Sequence, residues 1–299
     1  HEEAREIFKK HGCKVDGIRV YIPPGVVRKA LQSLPLMTTV YDWEGNERIY
    51  AEENRSYFGP GPTLVYFKDP DTLERRPCLR EDATTVARVC DALPNIGFVE
   101  GLISISDVNR GLEDVYEFAD MIQNTTTPIM AWAFNRGGAK DLHRIGTIMA
   151  GGEEAFKKKP NYILYSEPIS PLVSDFHAID KLMYCAEHGI PQDYSPCAIG
   201  GATVPATHAG QITVALSESM VGVVLSQLIN PGTCVILGGV QAPLDMYRAI
   251  YSYGAPELNP LCGGLTEMAK FCGIPMFGTS GCTDTKTMEI QSGIEAALS

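Results

Sequence analysis

The longest apolar pattern in the chain lies between residues 200 and 241. A run from about Ala209 to Leu228 is apolar on nearly every helical face, which predicts a helix buried on several sides. Asn230-Pro231-Gly232 ends it, and the short apolar run 233–237 is typical of a strand covered on both faces. A buried helix, a turn and a buried strand indicate a βα repeat of a parallel sheet.

The first part of the chain has a different order of predicted helices and strands. The pattern predicts a helix over 2–10, a strand over 19–22, a helix over 24–31 and a hairpin over 40–50. We therefore expect residues 1–56 to form an N-terminal cap of helices and a hairpin, packed on a main domain of residues 57–299.

Strands and helices alternate through that main domain. Strands are predicted over 63–67, 97–100, 128–132, 162–165, 191–197, 233–237 and 274–277. Helices are predicted over 81–93, 111–122, 139–150 with an annex at 153–158, 175–188, 209–228, from Pro243, from Glu257 and over 287–298. Seven alternating strands indicate a (β/α)₈ TIM-type barrel whose C-terminal strand is missing from this segment. A doubly wound open sheet is the alternative.

Composition narrows the function classes. The chain has 44% hydrophobic residues, 20% charged residues and a net charge of −11, which is typical of a soluble globular protein and a poor match to nucleic-acid binding. Polar residues interrupt the longest apolar run, so we expect no membrane span. Nine cysteines, an odd number without a Cys-x-x-Cys pair, favour free thiols in a reducing cytoplasm.

Familiar catalytic motifs are absent from the sequence. Dinucleotide-binding, Walker A, His-Glu-x-x-His and Gly-x-Ser-x-Gly patterns do not occur. The six histidines show no metal-ligand spacing, and His143, His177 and His188 fall within predicted outer helices, so we expect no metal site.

Aromatic residues gather where three predicted strands end. They are Trp132, Phe134, Tyr165 and Tyr194, and the carboxylates at strand ends are few: Glu100, Asp107, Glu167 and Asp284. Aromatic faces around a carboxylate bind a quaternary or methylated ammonium through cation–π attraction and one countercharge. The alternative is that the rings pack between strands and helices.

Several motifs resemble one known family. Glu-Pro-Ile-Ser-Pro-Leu at 167–172, the stretch 200–241, Phe-Gly-Thr-Ser-Gly-Cys-Thr-Asp-Thr-Lys at 277–286 and the N-terminal His-Glu-Glu-Ala-Arg-Glu-Ile-Phe are similar to the trimethylamine methyltransferase (MttB-like) superfamily. The resemblance covers essentially all 299 residues, and family members continue beyond this C-terminus. It implies a barrel enzyme that transfers a methyl group from a methylated amine to the cobalt of a partner corrinoid protein.

The resemblance also implies a branch of that family. The archaeal trimethylamine enzymes carry pyrrolysine, whereas every position here is a standard residue, so the chain resembles the non-pyrrolysine branch acting on quaternary amines such as glycine betaine. The chain is then expected to bind no cofactor tightly, since the partner protein carries the corrinoid (cobalamin). Homo-oligomers are compatible with the polar interruptions in the central helix.

Residue roles follow as expectations. The substrate-binding candidates are Trp132, Phe134, Tyr165, Tyr194 and Asn135, and the candidates for contact with the corrinoid are Gly238, Gly239, Gly278 and Thr279. Glu167 is the candidate catalytic residue, as countercharge or orienting group. The carboxylate of a betaine would meet Arg136 or the helix start near Thr207. Another barrel enzyme using acid–base or metal chemistry, or a non-catalytic betaine-binding protein, stays open.

Overall fold

The computed structural model describes residues 1–52, 54–61, 64–101 and 104–298. Its helices are α1 Glu2–Lys10, α2 Pro24–Gln32, α3 Arg80–Ala92, α4 Glu113–Ile122, α5 Arg136–Ala150, α6 Glu153–Lys158, α7 Phe176–His188, α8 His208–Ile229, α9 Leu258–Cys272 and α10 Ile290–Leu298. Its strands are β1 Lys14–Asp16, β2 Arg19–Tyr21, β3 Thr38–Tyr41, β4 Glu47–Ala51, β5 Tyr66–Lys68, β6 Arg75–Pro77, β7 Val99–Glu100, β8 Ile129–Trp132, β9 Tyr162–Ser166, β10 Gln192–Tyr194, β11 Cys197–Gly200, β12 Val235–Gly238, β13 Val240–Asp245, β14 Ile250–Tyr251 and β15 Met276–Phe277. The protein is therefore mixed α/β.

These elements form two compact units, each assembled from separated parts of the chain. Unit 1 comprises residues 1–36, 166–183 and 193–299, and unit 2 comprises residues 37–165 and 184–192. The predicted division into a cap of residues 1–56 and a barrel of residues 57–299 is a different partition, and it stays a prediction.

Six strands belong to one sheet, in the order β15-β12-β10-β9-β8-β7. The pairs β7–β8, β8–β9 and β12–β15 run parallel. Read from β7 to β15, the order follows the chain without the reversal of direction that defines a doubly wound sheet. The topology therefore favours the barrel prediction over its alternative.

Unit 2 packs α4 and α5 against the buried strands β8 and β9. Phe118 of α4 and Tyr162 of β9 meet edge to face, with ring centroids 5.4 Å apart. Leu142 of α5 and Phe156 of α6 are fully buried in the same cluster. Helix α5 ends at Gly151, whose φ of 87° is a left-handed conformation that favours glycine at a helix end.

Unit 1 is built around α8. The helix begins after Thr207, whose hydroxyl accepts a hydrogen bond from the Gly210 N–H, and it ends before Pro231-Gly232. Its residues Ala215, Val223 and Leu225 are fully buried in one apolar cluster with residues of α1, α2, α7, α9, β10 and β12. The prediction that this helix is buried on several sides is confirmed, most clearly over residues 222–227.

The polar residues of α8 have partners within the chain. The Glu218 carboxylate accepts hydrogen bonds from the Ser170 hydroxyl (2.8 Å) and the Leu172 N–H (2.6 Å). The Ser219 hydroxyl donates to the Gly238 carbonyl at 2.9 Å. Glu218 and Ser219, two of these polar interruptions, are thus hydrogen-bonded inside unit 1.

Among the described residues, α8 is the one helix long and apolar enough to cross a membrane, with a mean hydropathy of 1.7 over its most apolar window. Half of that window is buried within the chain. Length and composition alone select α8, and its packing in the unit 1 core gives a sufficient reason for its apolar sequence.

Three local predictions are wrong. The strand predicted over 63–67 is β5, which pairs antiparallel with β6 in a hairpin and lies outside the six-stranded sheet; Thr63 lies outside the described residues. The turn signal is Asp69, whose carboxylate accepts hydrogen bonds from the Asp71 and Thr72 N–H groups. The sheet accordingly has six of the seven expected strands.

The other two corrections concern a small sheet in unit 1. The strand predicted over 191–197 breaks at Pro196, which lacks an N–H for the ladder, and Cys197 opens β11 in a separate sheet of order β11-β13-β14. The segment from Pro243, predicted helical, belongs to β13, where Pro243 lies opposite Gly200 in a parallel pair. Pairing with β11 and β14 overrides the helix signal of the proline.

Because α8 packs closely on β10, replacing two helix glycines by alanine should have opposite effects on stability. A Cβ at the buried Gly222 would lie 2.5 Å from the Tyr194 ring, whereas nothing lies within 4 Å of a Cβ at the exposed Gly263 of α9. We expect Gly222→Ala to lower the free energy of unfolding by about 1–3 kcal/mol through overpacking. The control Gly263→Ala should raise it by about 0.5–1 kcal/mol. Urea denaturation measures both, and equal effects would contradict the packing.

Candidate functional site

The strand ends of unit 2 bring aromatic rings together. Trp132 ends β8 and lies opposite Tyr165 on β9 in the parallel register. The rings of Trp132 and Phe134 meet edge to face, with centroids 4.7 Å apart. Trp132 and Tyr165 are half-buried and Phe134 is 43% exposed, so part of the aromatic surface is open to solvent. Three of the four aromatic residues predicted to bind substrate therefore lie at neighbouring strand ends.

Buried carboxylates of α4 support these rings. The Trp132 indole N–H donates to Glu117 at 2.6 Å, and the Phe134 N–H donates to Asp114 at 3.0 Å. Both acids are buried, and burial raises the pKa of Asp114. Asp114 and Glu117 are three residues apart on one helix, which places their side chains on the same face.

Gly101 explains why the indole can lie where it does. A Cβ at Gly101 would lie 2.5 Å from the Trp132 ring, so the backbone after β7 approaches the indole closely. Glu100, the preceding residue, is 1% exposed at the end of β7. The result is an aromatic and acidic cluster at the ends of β7 and β8.

Asn135 serves α5 in the structure. Its side-chain oxygen accepts hydrogen bonds from the N–H groups of Gly137 (2.8 Å) and Gly138 (3.2 Å), which makes it the N-cap of the helix. Arg136 donates to Glu187 at 2.6 Å. Both side chains have intramolecular roles that accompany any contact with substrate.

A second group of polar side chains lies at strand ends of unit 1. The Ser195 hydroxyl donates to one oxygen of Asp193 at 2.6 Å, and the other oxygen has no hydrogen-bond partner among the described residues. Asp193 is fully buried, and this burial raises its pKa to about 8. A carboxyl group with this pKa is mostly protonated at neutral pH.

The thiol of Cys197 lies close to two tyrosines. The rings of Tyr251 and Tyr253 meet edge to face with centroids 4.9 Å apart, and both hydroxyls hydrogen-bond with Cys197. The Tyr251 hydroxyl also donates to the Val240 carbonyl at 2.8 Å. Burial raises the pKa of all three groups, so they are un-ionised at neutral pH.

Glu167 lies beside this group. Its side chain is exposed, and its negative charge helps to raise the pKa of Asp193, Cys197 and Tyr253. The predicted catalytic carboxylate is thus close enough to Asp193, Cys197 and Tyr253 for its charge to act on them.

Tyr194, the fourth aromatic residue predicted to bind substrate, differs from the other three in its burial. It is fully buried, its ring packs on Gly222 of α8, and its hydroxyl donates to Ser174 at 3.2 Å. The described contacts of this ring are those of a core residue.

The four glycine and threonine positions proposed to face the corrinoid fall into two groups. A side chain at Gly238 would collide with Ser195, and one at Gly239 would collide with Gln241. Gly278 is exposed with only Met276 nearby, and Thr279 is half-buried. Close packing inside unit 1 accounts for the first pair, whereas the second pair leaves room for a large group.

Sequence reasoning missed Asp114, Glu117, Asp193, Tyr251 and Tyr253. Asp114 and Glu117 could have been found from the sequence, since acids three residues apart in an apolar helix indicate a buried polar contact. Asp193 lies inside a predicted strand, where a charged residue is unusual. The two tyrosines carry none, because their segment was predicted helical.

Comparison with known proteins decides the family. The family model described as trimethylamine methyltransferase (MTTB) matches residues 1–299. The chain belongs to the trimethylamine methyltransferase family. The resemblance inferred from the motifs at 167–172, 200–241 and 277–286 is confirmed.

The curated relatives include two activities. A glycine betaine methyltransferase of Desulfitobacterium hafniense (strain Y51) is 29% identical over 299 residues, which is 100% of this chain and 62% of that protein. The trimethylamine methyltransferase MttB of Methanosarcina thermophila is 29% identical over 325 residues, 99% of this chain and 63% of that protein. An MttB of Desulfitobacterium hafniense (strain DSM 10664 / DCB-2) is 28% identical, with 60% of its length covered. The chain spans about three fifths of these relatives.

The buried Asp193 predicts how stability changes with pH. Its pKa is about 8 in the folded protein and about 3.9 in an unfolded chain, so between these values the folded state holds one more proton. The free energy of unfolding should therefore fall as pH rises, by up to about 1.4 kcal/mol per pH unit from this residue.

Asp193→Asn removes the titration and keeps an acceptor for Ser195. Urea denaturation at pH 5.5 and pH 7.5 should show that the wild type loses more stability than the variant over this interval. Identical pH dependence in the two proteins would show that Asp193 is ionised in the fold.

Proposed function

We propose that the full-length protein transfers a methyl group from a quaternary amine of the betaine type to the Co(I) corrinoid of a partner protein. Membership of the family supports methyl transfer, and a glycine betaine methyltransferase is among the relatives. The observation that carries the choice of a quaternary ammonium is the edge-to-face pair of Trp132 and Phe134, whose indole N–H donates to the buried acid Glu117.

The physical basis is cation–π attraction. A cation within about 6 Å of a ring centroid gains about 0.5–2 kcal/mol, most at Trp. A quaternary ammonium has no N–H to donate, so aromatic faces and a nearby carboxylate are the groups that recognise it. Trp132, Phe134 and Tyr165 supply the faces, and Glu167 is proposed as countercharge or orienting group.

The proposed methyl transfer requires no general acid or general base. The methyl carbon forms a bond to the nucleophile while its bond to nitrogen breaks, and the electron pair goes to nitrogen. A tertiary amine leaves as a neutral molecule, so no proton is needed. A Co(I) corrinoid on its carrier supplies the nucleophile. The protein has to hold the ammonium so that one methyl group points in line with it.

The exposed strand end at Gly278 and Thr279 is proposed to face the docked corrinoid carrier, with no cofactor held tightly by this chain. Free thiols at all nine cysteines support a cytoplasmic location.

Asp193 favours a second candidate, a barrel enzyme that works by acid–base chemistry. A carboxyl group with a pKa of about 8 can exchange a proton near neutral pH. Such an enzyme would turn over its substrate without a corrinoid protein, which separates the two functions experimentally. A non-catalytic betaine-binding protein would bind a quaternary amine and never demethylate it.

The decisive assay follows methylcobalamin formation by absorbance, using the full-length protein, Co(I) cobalamin and a panel of amines. We expect turnover of a quaternary amine and almost none of trimethylamine, because transfer from the free amine would have to expel a dimethylamide anion. The rate should not depend on added metal, because no strand-end residue belongs to a group of potential metal ligands in the described chain. Turnover of trimethylamine alone, or activity without a corrinoid acceptor, would refute the proposal.

A binding experiment tests the role of the rings separately. Tyr165→Ala should weaken binding of a quaternary ammonium by roughly 2- to 30-fold, the equivalent of about 0.5–2 kcal/mol, and should change binding of an uncharged isostere much less. Tyr247→Ala is the control, since Tyr247 is 95% exposed. Isothermal titration calorimetry measures all three proteins, and equal losses for the charged and uncharged ligands would exclude a cation–π role.

A further inference from the structure

Three potential metal ligands of unit 2 meet on its helices. His143 lies on α5, Glu153 begins α6 and His188 ends α7. His143 Nε2 lies 3.5 Å from Glu153 Oε2, and His188 Nδ1 lies 3.7 Å from Glu153 Oε1. All three ligand atoms lie within 4.8 Å of one another. We propose that His143, Glu153 and His188 bind a divalent transition-metal cation such as Zn²⁺.

The distances suit one shared ion. Zn²⁺ binds nitrogen and oxygen ligands at about 2.0–2.2 Å in tetrahedral geometry, which places two ligand atoms about 3.3–3.6 Å apart. His143 Nε2 lies 3.5 Å from Oε2 of Glu153 and His188 Nδ1 lies 3.7 Å from Oε1, so each imidazole faces one carboxylate oxygen at close to this separation. Two imidazoles and a carboxylate are a ligand set that Zn²⁺ and its first-row neighbours accept.

His143 provides an independent indication of a ligand. It is 4% exposed, and among the described residues its Nε2 has no hydrogen-bond partner. Its Nδ1 lies 2.8 Å from the Tyr184 hydroxyl.

The contact with Tyr184 orients the ring as metal-binding histidines require. When Nδ1–H donates to the Tyr184 oxygen, the lone pair of His143 Nε2 points toward Glu153. His188 packs on the same tyrosine, with ring centroids 4.3 Å apart. Tyr184 therefore positions both imidazoles.

The charged groups around the site leave it negative enough for a cation. Lys157 Nζ lies 4.0 Å from Glu153 and 3.2 Å from Glu154, and its side chain is 46% exposed. The lysine can pair with Glu154 when Glu153 binds a metal. Thr147, whose hydroxyl lies 3.5 Å from Glu153, is another polar neighbour, and Arg136 lies over the Tyr184 ring.

The metal would link three helices. Three protein ligands leave one position for water, and Glu153 and His188 are partly exposed, so an ion can enter from solvent. None of the three residues belongs to the aromatic or acidic clusters at strand ends. We therefore assign the site no part in the proposed methyl transfer.

The test is titration of the EDTA-treated full-length protein with Zn²⁺ by isothermal calorimetry. We expect saturable 1:1 binding that Glu153→Gln and His188→Ala each weaken at least tenfold. His177→Ala, an exposed histidine outside the cluster, should leave it unchanged. Tyr184→Phe should weaken binding by about 10- to 100-fold, as expected for a residue that orients ligands.

A second readout does not depend on affinity. Zn²⁺ should raise the thermal unfolding midpoint of the wild type and not that of Glu153→Gln. No saturable binding, or binding and stabilisation that survive both Glu153→Gln and His188→Ala, would overturn the proposal. Either result would identify the cluster as a contact among side chains without a metal.

Discussion

Burial of the parallel strands on both faces is the constraint on which the site depends. Strand β8 is buried through Ala131 and β9 through Leu164, and each becomes half-exposed only at the next residue, Trp132 and Tyr165. A covered strand offers its polar chemistry only at its ends, since its faces are packed and its backbone groups are paired. The aromatic rings of unit 2 lie at the ends of these strands, where the strands are no longer covered on both faces.

The same constraint governs the acids. Glu117 and Asp114 accept hydrogen bonds from groups at the end of β8, and Asp193 accepts one from Ser195 at the end of β10. A buried carboxylate is costly unless it is paired or protonated. The structure uses indole and backbone N–H donors in unit 2, and burial that holds a proton on Asp193 in unit 1.

The local sequence pattern is sufficient to predict elements that are long and uniformly apolar. Helix α8 was predicted at 209–228 and extends over His208–Ile229, and β8 and β9 were predicted almost to the residue. Short elements whose pairing is distant were not predictable in this way. Strand β13 forms because β11 and β14 pair with it, which no window around Pro243 reveals.

The candidate site shows the same division. Trp132, Phe134 and Tyr165 were found because they follow strands directly, whereas the burial of Tyr194 depends on Gly222, 28 positions later in the chain. The histidines at 143 and 188 were dismissed for lack of metal spacing. Spacing along one helix says nothing about residues that three helices bring together, and Glu153 completes that group only in the folded chain.

A crystal structure of the full-length protein with glycine betaine bound tests the central claim most directly. The account predicts the ammonium within about 6 Å of the Trp132 or Tyr165 ring centroid, with one methyl group directed toward open space. An ammonium bound away from both rings, or a ligand held only through its carboxylate, would contradict it.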